Sequence, residues 1–324
     1  MKPTMAMLRR FCSDYQIPAP IVEPKYIQYY IDLFDFLFDS RKAYRSFLRL
    51  CRRFDTEDEF FQYTSKLMED VIAKVKNNSV YEDFIKNDEF NSVKKQVSKH
   101  NVYVEDNLGK LMLSIDMTKA NYQALKYHSS ELVMNTSTFE EYISQFLDDD
   151  PENEYFMHAK KFRQVIFGNI NPRRQQKIQM HIMNQVLEKM KELDFTNNDV
   201  CGYTSDELVF IVNDSDGFDT NKVQSKLSDM NVDFHINLFT MDMVSAYNVD
   251  LSGNEKKLDN YFIKNNLDGS VEFKGVPKFY MSQMAKHYLN KELEEPDLLF
   301  HTDDGSIAKF INSLRFVDYI RASQ

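Results

Sequence analysis

Through the first hundred residues, apolar positions recur three and four apart. The series runs Ile27, Ile31, Phe34, Phe38, then Tyr44, Phe47, Leu48, Cys51, and later Phe60, Leu67, Val71, Val75. This spacing predicts amphipathic helices, one of them starting at Asp55 with Glu57 and Asp58 in its first turn, where the helix dipole favours acids. Near residue 102 the period shortens to two. Val102 and Val104, a turn at Asn107-Leu108-Gly109, and then Leu111, Leu113 and Ile115 predict a β-hairpin whose second strand ends at Asp116. Leu111, Leu113 and Ile115 share one face of that strand, so Asp116 stands at its end on the other, with Met112 and Ser114.

Helical spacing returns from about 118 to 193, interrupted by the acidic stretch 148–154, which predicts a solvated loop. Ile178, Ile182, Val186, Met190 and Leu193 form one helix stripe. Two short strands follow, Val200 to Thr204 and Leu208 to Val212, joined tightly around Ser205-Asp206-Glu207. A helix at about 220–230, an alternating run through Val232, Phe234, Ile236 and Leu238, a helix near 278–292 and a hairpin around Asp303-Asp304-Gly305 complete the order. The pattern is that of an α+β chain.

Composition narrows the class. A length of 324 residues suits two or three subdomains, and 43% hydrophobic residues with only eight Gly and eight Pro exclude disorder as the dominant state. Cys12, Cys51 and Cys201 are scattered with no CxxC, which predicts reduced thiols in an intracellular protein. The richest apolar stretch, Tyr29 to Phe38, is interrupted by Asp32 and Asp35, and the first ten residues lack the apolar block of a signal peptide. A soluble protein with no membrane partner is expected.

The net charge of −10 argues against a surface that binds nucleic acid throughout, but the charge is unevenly placed. Tyr155 to Leu187 contains no acid, while Lys160, Lys161, Arg163, Arg173, Arg174 and Lys177 supply six positive charges. This is the anion-binding candidate; the plain alternative is a solvated helix face paired with the acidic loop. Arg173 and Arg174 follow Pro172, in what would be a first helical turn with free backbone N–H groups. The seven histidines (His100, His128, His158, His181, His235, His287 and His301) show no metal-ligand spacing and are read as packing or surface residues. The aromatic stripe Tyr26 to Phe38 is read as core.

Three pieces stand in a meaningful order: a strand ending in Asp116, a basic helical segment, and a hairpin presenting Asp206-Glu207. Taken singly, each carboxylate is an ordinary turn or cap residue. Together, carboxylates on adjacent strands hold divalent ions, and a basic segment binds a triphosphate; nucleotidyl transfer needs both.

The segment Tyr203-Thr204-Ser205-Asp206-Glu207-Leu208-Val209-Phe210-Ile211-Val212 resembles the third palm motif of A-family DNA polymerases. Ser114-Ile115-Asp116-Met117-Thr118-Lys119-Ala120-Asn121-Tyr122 is similar to the first, and Lys160-Lys161-Phe162-Arg163-Gln164-Val165-Ile166-Phe167-Gly168 looks like a shortened fingers motif. The resemblance covers roughly residues 100–215.

It implies a helical thumb-like subdomain over 1–100, an antiparallel palm over 101–135 and 194–324, and a reduced fingers insertion over 136–193. It also implies that Asp116, Asp206 and the Met117 carbonyl hold Mg²⁺ or Mn²⁺, with Glu207 supporting the primer end or the metal site. Lys160, Lys161, Arg163, Arg173 and Arg174 would contact the nucleoside triphosphate, and Asn121 or Tyr122 would lie beside its sugar. Ser205 replaces the family's His, and Asn121 stands where its Glu is usual, so sugar selection is not inherited. The expected partners are template, primer, nucleoside triphosphates and a second protein subunit. A single-subunit phage-type RNA polymerase, or a catalytic subunit of a split one, is the alternative within the same chemistry. A non-catalytic protein-interaction subunit is the alternative outside it.

Overall fold

A computed structural model describes residues 1–98, 101–148, 153–213, 218–250, 252–302, 304–310 and 313–319. The chain divides into two compact units, one formed by Met1–Phe61, His158–Lys161 and Met241–Gln324, the other by Gln62–Met157 and Phe162–Thr240. These units cut across the three subdomains expected from the sequence. His100, Asp303 and most of the acidic stretch 148–154 lie outside the described residues. Among the described residues, no helix is long and apolar enough to cross a membrane, and the three cysteines are buried and form no disulfide.

The first unit begins with helices α1 (Met5–Asp14), α2 (Ile27–Leu33), α3 (Asp35–Phe38) and α4 (Ser40–Cys51). Phe11 stacks on Phe47 at 4.9 Å, and Phe60 meets Phe47 edge-on at 6.3 Å, so the expected helical stripes do converge on an aromatic core. The stripe from Ile27 to Phe38 is broken into two helices because the chain turns at Phe34; α3 then ends at Asp39, which takes a left-handed φ of 48°. Next comes α5 (Glu57–Lys76), which has residues in both units and carries Glu57, Asp58 and Glu59 in its first turn. Its cap is Thr56, not Asp55: Thr56 Oγ1 accepts from the Glu59 N–H at 3.2 Å.

The second unit contains α6 (Tyr81–Lys86), β1 (Met112–Met117), α7 (Ala120–His128), α8 (Phe139–Ser144) and, with ends in both units, α9 (Glu154–His158) and α10 (Lys160–Gly168). It continues with α11 (Pro172–Lys191), β2 (Val200–Tyr203), β3 (Glu207–Ile211), α12 (Thr220–Leu227) and the first part of β4 (Phe234–Val249). The strands run antiparallel in the order β2-β3-β1-β4. With helices between β1 and β2 and between β3 and β4, this is a split βαβ arrangement with β1 in the interior of the sheet. The stripe on α11 is buried at Ile178, Ile182, Val186 and Met190.

The expected hairpin at 102–115 does not form. Residues 102–104 are not a strand, the turn tightens into a 3₁₀ segment at Glu105–Asn107, and both edges of β1 are taken by β3 and β4. Val102 instead packs over Gly202, where an added Cβ would lie 2.4 Å from Val102 Cγ2. We expect Gly202→Ala to destabilise the protein by about 1–3 kcal/mol through this overpacking, read as a lower urea midpoint. An unchanged midpoint would show that Val102 moves aside freely.

Back in the first unit, the later part of β4 pairs with β9 (Ser313–Asp318), while β5 (Glu255–Asn266) pairs with β6 (Val271–Lys274). α13 (Met281–Tyr288) follows, then the hairpin of β7 (Leu299–His301) and β8 (Ile307–Lys309) around the expected turn, with Gly305 at φ 83°. Asp297 is fully buried, accepting from Tyr29 Oη at 2.6 Å and from the Glu294 N–H at 2.8 Å. Lys286 Nζ, also buried, reaches Glu294 and lies 3.9 Å from Asp297 Oδ2.

Glu272 bridges Lys264 at 3.0 Å and Lys274 at 2.7 Å. Burial pushes its carboxyl up, but the two ammonium groups outweigh this and hold it down at about 2. A depressed acid contributes stability above its unfolded value, about 4.3, and loses it as pH falls toward the folded value. Because the group is partly exposed, we expect Glu272→Gln to remove only about 1 kcal/mol at pH 7 and nearly nothing at pH 2. Denaturant titrations at the two pH values check this; an equal effect at both would rule out the charge as the cause.

Candidate active site

Asp116 is the fifth residue of β1 and is partly buried. The antiparallel register puts Glu207 of β3 directly across from it, and Asp206 one position further, across from Met117. The Met117 N–H donates to the Asp206 carbonyl at 2.8 Å. That bond makes Met117 and Asp206 a hydrogen-bonded pair, so Asp116 and Glu207 form a non-hydrogen-bonded pair, the cross-strand position where side chains come closest. Like charges facing each other there work against folding. Ser114, two residues back on the same face, donates to Glu207 Oε1 at 2.7 Å and holds that carboxylate in place.

The turn that presents Asp206 is built by Thr204. Its Oγ1 accepts from the Glu207 N–H at 2.9 Å and donates to Asp206 Oδ1 at 3.0 Å. Lys95 closes the other side of the turn, its Nζ donating to the Tyr203 carbonyl at 2.6 Å. Burial draws the Lys95 ammonium below its ordinary range, and the attraction of Asp206 works against that shift. On the far side of β1, His235 of β4 stands opposite Asp116 and is exposed. The corner from β1 into α7 is fixed by Asp233, whose carbonyl accepts from the Thr118 N–H at 2.9 Å and whose carboxylate accepts from Gln123 at 2.8 Å.

Asn121 and Tyr122 open α7, but only Asn121 is accessible. Tyr122 is fully buried and its hydroxyl donates to the Thr136 carbonyl at 2.9 Å, so it is a core residue rather than a neighbour of a sugar. Asn121 Oδ1 accepts from Gln179 of α11 at 2.8 Å.

The basic residues divide by environment. Lys160 and Lys161 are exposed and belong to the first unit. Arg163 lies over the Phe139 ring at 5.5 Å, and burial lowers its pKa against the pull of Glu140. Arg173 is exposed, whereas Arg174 is 5% exposed, stacks on Phe90 at 5.0 Å and donates to Asn91 at 3.2 Å. Arg174 is turned inward among Asp83, Glu89 and Asp88, which counteract the loss of its charge to burial. Lys177 donates to the Val93 carbonyl at 2.7 Å and Asn184 to the Lys94 carbonyl at 2.9 Å. Part of the expected anion-binding flank thus clamps the segment 91–95 along α11.

Sequence reading missed Lys95, Ser114 and His235. His235 occupies the polar phase of an alternating run and was open to the same reading as Asp116, whereas Lys95 sits in a stretch with no periodicity.

Among the described residues, no three His, Cys, Asp or Glu side chains gather into a metal cage. The oxygen donors of Asp116, Asp206 and Glu207 nonetheless suit Mg²⁺, which typically takes one or two carboxylates and completes its shell with water and substrate phosphate. Comparison of the chain with protein families, with curated proteins and with solved structures finds no match.

Proposed function

We propose that the chain is a metal-dependent, template-directed nucleic-acid polymerase with an A-family-like palm, acting to make DNA. The observation that carries this reading is the facing of Asp116 and Glu207 across adjacent strands, with Asp206 in the turn beside them. A divalent cation bound there would offset the repulsion of two like charges at the closest cross-strand position. Asp116, Asp206 and the Met117 carbonyl would hold Mg²⁺ or Mn²⁺, which supplies activation of the attacking 3′-hydroxyl and stabilisation of charge on the leaving oxygen.

In this reading Ser114 orients Glu207, and Thr204 and Lys95 hold the turn that carries Asp206. Arg163 and Arg173 meet the triphosphate, and Asn121 faces the sugar. Arg174, tied to Asn91 and Phe90, acts by fixing the start of α11 rather than by touching substrate. The test is Mg²⁺-dependent incorporation on a primed template, with ribonucleotides and deoxyribonucleotides side by side. Preference for deoxyribonucleotides supports the DNA reading, and preference for ribonucleotides would make it a phage-type RNA polymerase. No incorporation and no Mg²⁺-dependent nucleotide binding would leave a protein-interaction subunit as the better account.

A further inference from the structure

The first unit carries a cavity of about 720 Å³ that the polymerase reading does not use. Its size falls in the range of ligand sites. Four phenylalanines line it: Phe38, Phe273, Phe279 and Phe300. Phe279 is 43% exposed. The charged lining is all of one sign. Arg9 and Lys278 contribute cations, His301 adds an imidazole, and among the described residues no Asp or Glu lines the cavity. In a chain with 50 acids against 40 Lys and Arg, such a lining runs against the composition. Arg9 and Lys278 are both exposed, and neither has a carboxylate partner among the described residues.

The remaining polar groups are suited to hydrogen bonding rather than to charge. Ser13 and Gln16 stand on the wall, and His301 Nε2 is buried without a hydrogen-bond partner among the described residues. Burial pushes the Cys12 thiol on the same wall up to about 12, so it stays neutral beside Lys278 and leaves the field of the cavity positive. Aromatic faces, edge-bonding groups and unpaired cations together match a planar heterocycle attached to phosphate. An acyl chain would use the phenylalanines but leave the buried His301 Nε2 without a partner.

We propose that this cavity holds a nucleobase of a single-stranded nucleic acid, stacked among Phe279 and its neighbours, with the flanking phosphates on Arg9 and Lys278. Base stacking on aromatic side chains is tolerant of sequence, and cations beside it track the backbone. The site is distinct from the carboxylates of the second unit and stands whether or not those catalyse transfer.

The test is fluorescence anisotropy of the full chain with a labelled oligothymidylate of about 12 nucleotides, in EDTA so that no metal-dependent step contributes. Phe279→Ala should weaken binding about tenfold. The double variant Arg9→Ala, Lys278→Ala should reduce the slope of log affinity against log salt by about 1.4, two phosphates at roughly 0.7 each for a single strand. All three residues are exposed, so unchanged melting temperatures are expected and serve as the control for folding. The proposal is overturned by no binding to wild type, by variants that bind with unchanged affinity and slope, or by thymidine monophosphate binding as tightly as the oligonucleotide. Displacement of the oligonucleotide by low concentrations of decanoate would likewise overturn it, in favour of a site for apolar carboxylates.

Discussion

Asp116→Asn is expected to lower Mg²⁺-dependent nucleotide incorporation about 10³-fold or more while leaving the melting temperature unchanged or slightly raised. The activity term follows from the metal: charge stabilisation by a bound ion is worth several kcal/mol, and about 4 kcal/mol corresponds to about 10³ in rate. The stability term has the opposite sign, because the substitution removes one of two carboxylates facing each other across β1 and β3. Relief of that repulsion is worth about 0.2–1 kcal/mol in a sheet. A loss of activity accompanied by a gain of stability marks a residue kept for chemistry at some cost to the fold. Asp206→Asn should show the same activity loss; its side chain keeps Thr204 as a partner, so the turn should survive. Incorporation at the wild-type rate by either variant would end the assignment. A fall in melting temperature matching the activity loss would reduce Asp116 to a structural residue.

Asp297→Ala is expected to cost about 3–5 kcal/mol, the largest stability effect of any substitution considered, measured as a shift of the denaturant midpoint at constant slope. The carboxylate is fully buried and accepts from Tyr29 and from the Glu294 backbone, so its removal strands two donors and deprives buried Lys286 of a neighbouring charge. Burial raises the pKa of Asp297 in the folded protein, with the Glu294 N–H, Tyr29 and Lys286 pulling it back. A raised acid pKa means that the native state holds its proton more tightly than the unfolded chain does. The contribution of Asp297 therefore weakens as pH rises through the folded pKa, the reverse of Glu272. Asp297→Asn, which keeps an acceptor for Tyr29 and carries no charge to bury, should lose less than the alanine variant. A cost under about 1 kcal/mol for Asp297→Ala would mean that water or a rearranged Glu294 replaces the carboxylate without penalty.

Helix α11 was legible because its buried stripe has strong period, at Ile178, Ile182, Val186 and Met190. The hairpin holding Asp206 was legible for the complementary reason: two short apolar runs flank a tight polar turn. The strand β5 was not. Its first residues, Glu255 to Asp259, are exposed, and Tyr261 to Lys264 are buried in succession, so neither half alternates. Val102 and Val104 alternate without forming a strand, since period records which side chains face inward and not which backbone finds a partner. At the candidate site the residue types were visible, but the pairing was not. Register, a property of three strands together, puts Glu207 rather than Asp206 opposite Asp116. Burial also separates Tyr122 from Asn121 and Arg174 from Arg173, and for the two arginines nothing in residue type announces the difference.

The clamp along α11 has a consequence for how this chain tolerates change. Lys177 and Asn184 grip the carbonyls of Val93 and Lys94, and Lys95 grips the carbonyl of Tyr203. A carbonyl is offered by every residue type, so the helix recognises the path of the segment and not its side chains. Val93 and Lys94 can therefore be exchanged with little effect on where Lys95 arrives, whereas replacing Lys177 or Asn184 removes one of the bonds that set the path. Drift in the segment is buffered, and the position of Lys95 beside Asp206 is inherited from α11.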